Sequence, residues 1–300
     1  MDVIGLGFAT VDVLARVPRL PQADEVFRLL GVSVQGGGPV ATALVAAARL
    51  GAPAGYIGTV GGDDWGRFIL ADFERNRVDV SLARVDAAGS SMMSIILVDA
   101  ATGARSILYD PGRIAEVVLG EGEAAAVRSA RILHLDGWHI TAAIAAARVA
   151  REAGVLVSFD GGAGEAWREV GALLPLVDVL VVARQFAERV TGEADPAAAG
   201  PLLLRTGARE VVITDGANGC WYWDSDGSLR QPAFAVAVVD TTGAGDVFHG
   251  AYIYALLHGW EPAQRLRFAS ATAALKCTQP GGRLGIPTTQ QVLDFLKETT

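Results

Sequence analysis

Short apolar runs alternate with helix-like segments along this chain, and few architectures accept that pattern. Residues 3–7, 55–58, 132–135, 155–159, 177–182 and 211–214 are rich in Val, Ile and Leu and lack polar alternation. Such runs suit strands covered on both faces, as in a parallel sheet whose crossovers are helices. Helices are expected at 39–50, opened by Gly36-Gly37-Gly38 and closed by Gly51, and from Asp63 or Asp64 to about Asn76. Further helices are expected at 142–153, 165–174, 244–258, 262–277 and 289–297. Residues 220–223 are expected to pair with 228–231 across Asp226-Gly227. The pattern reads as an α/β fold, a three-layer α/β/α sandwich with a mostly parallel central sheet.

Two stretches break the rhythm. Residues 11–34 carry Pro18 and Pro21 among alternating apolar positions, and 92–109 read as a hairpin turning at Ala101-Thr102-Gly103. Both are expected to be antiparallel strands of one small sheet, a lid. Its segments, about 11–35 and 90–112, would be inserted in a single domain spanning 1–300.

Composition removes several function classes. The chain is 51% hydrophobic and 19% charged, which excludes a disordered chain. Its net charge of -8 argues against sequence-independent nucleic-acid binding. No apolar run approaches a membrane span, and the N-terminus has no basic segment followed by a long apolar one. Cys220 and Cys277 stand alone and fit a reducing cytoplasm. His134, His139, His249 and His258 show no metal spacing, so no metal ligand set is legible. No G-x-x-x-x-G-K-[ST] occurs. Gly5-Leu6-Gly7 lacks the third glycine and the following helix of a dinucleotide fingerprint.

The most informative segment is Asp240-Thr241-Thr242-Gly243-Ala244-Gly245-Asp246. Glycines at a strand-to-helix junction leave amides free at the helix start, and these with the helix dipole form an anion site. A carboxylate there would repel a phosphate unless it serves as a base for an attacking hydroxyl. On spacing alone, a glycine-rich turn with Asp246 in the first helical turn is equally consistent. Gly36-Gly37-Gly38-Pro39 would let a ligand approach the backbone, or would merely lead into a helix. Thr214-Asp215-Gly216-Ala217-Asn218-Gly219 ends a strand, where open α/β sheets bind ligands, or turns between two strands.

With both glycine motifs in this order and spacing, the chain resembles the ribokinase-like, or PfkB, carbohydrate kinases over nearly its whole length. The resemblance implies ATP and Mg²⁺ as cofactors, a monovalent cation such as K⁺ in some members, and a lid that closes over the sugar and mediates a homodimer. It implies Asp246 as catalytic base and Gly243, Ala244 and Gly245 as the anion hole. Asp12, Gly37, Gly38 and Thr42 would face the sugar. Arg105, on the second lid hairpin, either faces the substrate or is an exposed edge-strand charge, and His139, at a strand end, either reaches the substrate or is a structural histidine. Thr214, Gly216, Gly219, Thr241, Lys276, Gly281 and Gly282 would lie on the nucleotide side. Residues 231–234, 240–250 and 267–287, with Trp138-His139, are most similar to the sulfofructose kinase branch.

Departures from the pattern are informative. The lid has no lysine for a sulfonate, leaving Arg28, Arg105 and Arg113, and Gly137 stands where that branch has a basic residue. Thr42 stands where many members have Asn. The N-x-x-E motif linked to Mg²⁺ falls on Ala183–Phe186, with Glu188 close behind. The expected activity is phosphoryl transfer from ATP to a primary hydroxyl of a fructose-like or sulfofructose-like ketose. A nucleoside kinase and a non-catalytic sugar or nucleotide sensor are the alternatives.

Overall fold

The computed structural model describes residues 1–102, 105–162 and 170–299. Its strands are β1 (Val3–Leu6), β2 (Thr10–Val17), β3 (Gly31–Gly37), β4 (Ala54–Gly61), β5 (Val78–Asp79), β6 (Ala83–Asp86) and β7 (Met93–Asp99). They continue as β8 (Arg105–Asp110), β9 (Ile132–Leu135), β10 (Leu156–Asp160), β11 (Val179–Ala183), β12 (Glu210–Thr214), β13 (Cys220–Trp223) and β14 (Ser228–Gln231). The helices are α1 (Pro39–Leu50), α2 (Asp64–Arg75), α3 (Glu121–Ser129), α4 (Ile140–Glu152), α5 (Arg184–Thr191), α6 (Pro196–Leu204), α7 (Ala244–Leu257), α8 (Pro262–Lys276) and α9 (Thr289–Glu298).

The large sheet has the order β14-β13-β12-β11-β10-β9-β1-β4-β5, with β6 added beside β4. All its pairs from β12 to β5 are parallel, and only the β12-β13-β14 edge is antiparallel. Strand alternation feeds two separate cores. Val3, Val179 and Val181 join the core under α1, α7 and α8, while Ile4, Leu6, Leu180 and Val182 join the one under α4, α5 and α6. Consecutive residues of a strand point to opposite faces, so apolar residues at every position demand helices on both sides. Each buried Val, Leu or Ile contributes roughly 1.5–3 kcal/mol.

The second sheet has the order β3-β2-β7-β8. Its two outer pairs are antiparallel as expected, but β2 and β7, which join the two segments, run parallel. Both enter the second sheet from the same end of the large sheet, since β1 and β6, which precede them, are parallel strands of it. The turn residue Gly103 lies outside the described residues. So do residues 165–169 of the helix expected at 165–174. The described end of that segment makes only the single 3₁₀ turns Val170–Ala172 and Leu174–Leu176, because Gly171 and Pro175 interrupt it.

Three helices and two strands had no clear sequence signal. Helix α6 starts well, with Asp195 capping it and Pro196 in its first position, but it contains Gly200 and Pro201, residues that ordinarily break helices. Its Gly200 is required by packing, since a Cβ there would run into the Trp223 indole.

Candidate active site

Helix α7 opens within the run from Asp240 to Asp246. Gly243 caps it in the left-handed region at φ 71°, and a Cβ there would come within 2.9 Å of the Gly282 Cα. The preceding loop is pinned from below. Asp240 accepts from the amides of Thr242 and Gly281, each at 2.8 Å, and its own carbonyl accepts from Lys276 Nζ at 2.9 Å. Burial pushes the Asp240 carboxyl up, but these amides and the Lys276 ammonium outweigh it and hold it below the ordinary range.

The first amide closed within α7 is Val247, onto Gly243 O at 2.9 Å. The Ala244 amide closes a turn onto Thr241 O at 3.2 Å. Among the described residues, no partner takes the amides of Gly243, Gly245 or Asp246, and Gly245 is exposed. Of the amides expected to form an anion hole, those of Gly243 and Gly245 are free among the described residues and that of Ala244 is engaged, while the Asp246 amide is free as well. Free amides at the positive end of a helix dipole favour a phosphoryl group.

Asp246 is half-buried. Its carboxyl is raised to about 7, first by desolvation and then by the charge of Asp160. His249 and Arg283 pull it down, and Asp12 pushes it up. A base poised near neutrality suits proton removal from an alcohol.

Residues expected to face a sugar converge on one buried cation. Arg283 is 3% exposed, and its guanidinium meets Asp72 Oδ2 at 2.5 Å, Gly37 O at 2.9 Å and Thr42 Oγ1 at 3.2 Å. Its amide donates to Gln35 Oε1 at 3.1 Å. The three glycines have separate causes. A Cβ on Gly36 would enter the Arg283–Asp72 pair, and one on Gly37 would strike the Asp12 carboxylate. Gly38 has φ 98° against Phe8 O. Asp12, on β2, is buried, and desolvation raises it to about 6 although Arg283 and a Ser94 hydrogen bond oppose the shift.

On the other side of the anion hole is a cavity of about 510 Å³, walled by Ala217, Val236, Phe248, Ala273 and Cys277. Thr214, Gly216, Gly219 and Thr241 line it, as the sequence suggested. Such an apolar slot beside free amides fits a flat heterocycle carrying phosphates.

Several assignments change. Thr42 is 1% exposed and spends its hydroxyl on Arg283, so it shapes the sugar side only through that residue. Arg105 donates to Thr241 Oγ1 at 2.7 Å, which places it beside the loop that precedes α7. Lys276, Gly281 and Gly282 are buried beneath the anion-hole loop and support it from behind. His139 is taken up by Glu116 at 2.8 Å and the Val117 amide at 3.4 Å, at the start of α4. Arg184 turns to Asp215 at 3.0 Å and Glu188 to Arg184 at 3.6 Å, so Glu188 does not replace the missing N-x-x-E carboxylate.

Sequence reading missed Arg283, Asp72, Asp136, Asp160 and His249. Asp136 and Asp160 each follow an apolar strand directly, a usable signal for a ligand-facing acid. Asp136 accepts from the Phe8 and Trp138 amides at 3.2 and 2.9 Å, and burial raises it to about 7. The partners of Arg283 lie more than two hundred residues away, beyond any local pattern.

The model of the pfkB family of carbohydrate kinases matches residues 2–289. The ATP-dependent ribose-1-phosphate kinase of Halopiger xanaduensis is 34% identical over 297 residues, covering 99% of this chain and 98% of that protein. The ribokinase of Haemophilus influenzae is 30% identical, with 97% of each chain covered. The structure of Arabidopsis thaliana ribokinase complexed with ribose and ATP superposes with a TM-score of 0.87 at 25% identity, covering 98% of both chains. A family model spanning nearly the whole chain and relatives of this identity settle the membership: this chain belongs to the pfkB family of ATP-dependent carbohydrate kinases.

Proposed function

We propose that the chain phosphorylates the primary hydroxyl of a neutral furanose-sized sugar, a pentose or ketohexose, with Asp246 as base. The single observation that carries this reading is Asp246 at the mouth of α7, between free amides on one side and the Asp12–Arg283 group on the other. The sugar would sit between Asp12 and Asp246, and the nucleotide in the cavity beside Phe248. Asp246 takes the hydroxyl proton while the amides of Gly245 and Asp246 hold the migrating phosphoryl group. Arg105 and Thr241 bring donors from lid and loop to the same phosphate.

Mg²⁺ would enter on the triphosphate and neutralise its oxygens. The free amides at the start of α7 and the Arg105 cation fit a phosphate chain.

A neutral sugar is favoured over an anionic one because Arg105 is engaged at Thr241 and Arg28 and Arg113 are exposed. The test is ATP consumption by the full chain with ribose, fructose, ribose 1-phosphate and sulfofructose. Ribose or fructose is expected to give the highest kcat/KM. Preference for either anionic sugar would sink the neutral-sugar reading.

The lid would also pair two copies, in a cytoplasmic homodimer. Val34, Val13, Ile95 and Leu108 face each other in register across all four strands, and Val34, Ile95 and Leu108 are 41%, 43% and 57% exposed. An apolar row of this kind on a sheet face suits a second copy of itself. Sedimentation is expected to give twice the mass of one chain, and a monomer at micromolar concentration would refute it. No helix among the described residues is long and apolar enough to cross a membrane.

A further inference from the structure

The strand order of the large sheet marks a crevice that phosphoryl transfer, as derived above, does not use. From β1 the chain crosses to β4 on one side, and it later resumes at β9 on the other, so the crossovers diverge between β1 and β9. In open α/β sheets ligands sit at such a switch point, outside the carboxyl ends of the strands. Strands β1 and β9 are parallel and end level, with Leu6 beside Leu135. The residues that follow them are Gly7-Phe8 and Asp136-Gly137-Trp138.

One side chain ties the two strand ends together. Asp136 is fully buried, and its two oxygens accept from the Phe8 amide at 3.2 Å and the Trp138 amide at 2.9 Å. Gly7 admits it, since a Cβ there would run into the Asp136 carboxyl group. Held in this way, the Phe8 and Trp138 rings meet with centroids 5.0 Å apart and planes inclined at 54°. Both residues are only half-buried, so two large aromatic side chains keep surface accessible at the switch point. Phe8 also borders the residues expected to face a sugar. A Cβ on Gly38 would come within 2.5 Å of Phe8 O, and one on the preceding Gly37 would strike Asp12.

We propose that Phe8 and Trp138 are specificity-determining residues, an aromatic wall that takes the C–H face of a neutral sugar at the end remote from the hydroxyl to be phosphorylated. This deepens the neutral-sugar reading and rests on it for the occupant. A sugar ring offers an apolar C–H face to an aromatic ring while its hydroxyls stay with polar partners such as Asp12. Anionic sugars fail at the same place. In ribose 1-phosphate and in sulfofructose the charge lies at the end opposite the primary hydroxyl. An anion there would lose water against two rings, and neither strand end offers a cation, because residues 4–15 and 132–147 contain no Lys or Arg. The side chain that anchors both ends, Asp136, is itself an acid.

Trp138→Ala and Phe8→Ala are each expected to raise KM for the best neutral sugar of the panel about tenfold, with kcat and the KM for ATP changed less than about twofold, because a wall of this kind binds ground state and transition state alike. Trp138→Phe should recover most of the loss. Trp138→Arg is expected to narrow the preference for that sugar over ribose 1-phosphate about tenfold, since it supplies the missing cation. General damage would lower turnover of both sugars equally. Binding is read apart from turnover. The full chain has six tryptophans, so the difference in fluorescence between wild type and Trp138→Phe, titrated with sugar and no nucleotide, isolates Trp138. That signal is expected to change over the sugar concentrations that saturate turnover, and it does not need the alanine variants to fold. An unchanged sugar KM in both alanine variants, equal loss of both sugars in Trp138→Arg, or a Trp138 signal indifferent to sugar overturns the proposal. If no sugar of the panel is turned over, the kinase reading fails, while the Trp138 signal still decides whether the wall meets a sugar.

Discussion

Asp246→Asn is expected to lower kcat about 10²- to 10⁴-fold while leaving the fold intact. The side chains are nearly isosteric, and Asp246 accepts no hydrogen bond from another residue among those described. What is lost is proton acceptance, because an amide cannot take the hydroxyl proton. The wild-type pH profile tests the same role. Desolvation and the charge of Asp160 hold the carboxyl up at about 7, so it is protonated and inactive below that pH. Turnover is therefore expected to rise through about pH 7 and level off above it, and the residual activity of the Asn variant should lack this limb. Steady-state ATP consumption measured with saturating sugar from pH 5.5 to about 9 checks both. Retention of wild-type turnover by the variant would remove Asp246 from the chemistry.

Much of this was legible locally. The alternation of two-sided apolar strands with capped helices gave the layered sheet, because burial on both faces leaves no polar period in a strand. The run from Asp240 to Asp246 read equally as an anion site or a glycine-rich turn, and the structure shows the amides of Gly243 and Gly245 without partners among the described residues. Lid residues were harder to read. Arg105 lies on a strand with exposed neighbours, and only the fold brings it to Thr241, 136 positions away. Lys276 looked like a nucleotide contact because of its neighbours in sequence, yet the final turn of α8 directs it under the loop to the Asp240 carbonyl. Thr42 was misread for a similar reason: its hydroxyl is claimed by Arg283, which arrives from the far end of the chain.

Arg283→Met is expected to destabilise the chain by about 3–5 kcal/mol, the range for breaking a buried ion pair from one side. The guanidinium is nearly inaccessible and makes three side-chain hydrogen bonds, to Asp72, Gly37 and Thr42. Removing it leaves the Gly37 carbonyl and the Thr42 hydroxyl without their donor, and deprives Asp72 of its buried partner. Asp72 keeps a second contact with Arg75 at 3.1 Å, which places the loss toward the lower end of the range. Lysine is expected to rescue little, since a single ammonium cannot reach three acceptors in a plane. The double variant Asp72→Leu with Arg283→Met should recover part of the loss, because no unpaired charge then remains. The active site feels the change as well. Arg283 holds both Asp12 and Asp246 down, so its removal raises both, and any activity left at pH 7 should increase toward alkaline pH. Urea unfolding of the wild type, both single variants and the double variant at one pH measures the stabilities. A single-variant loss below about 1 kcal/mol would show that the cluster is less buried than its geometry indicates, and that glycine at position 36 is not there to admit the ion pair.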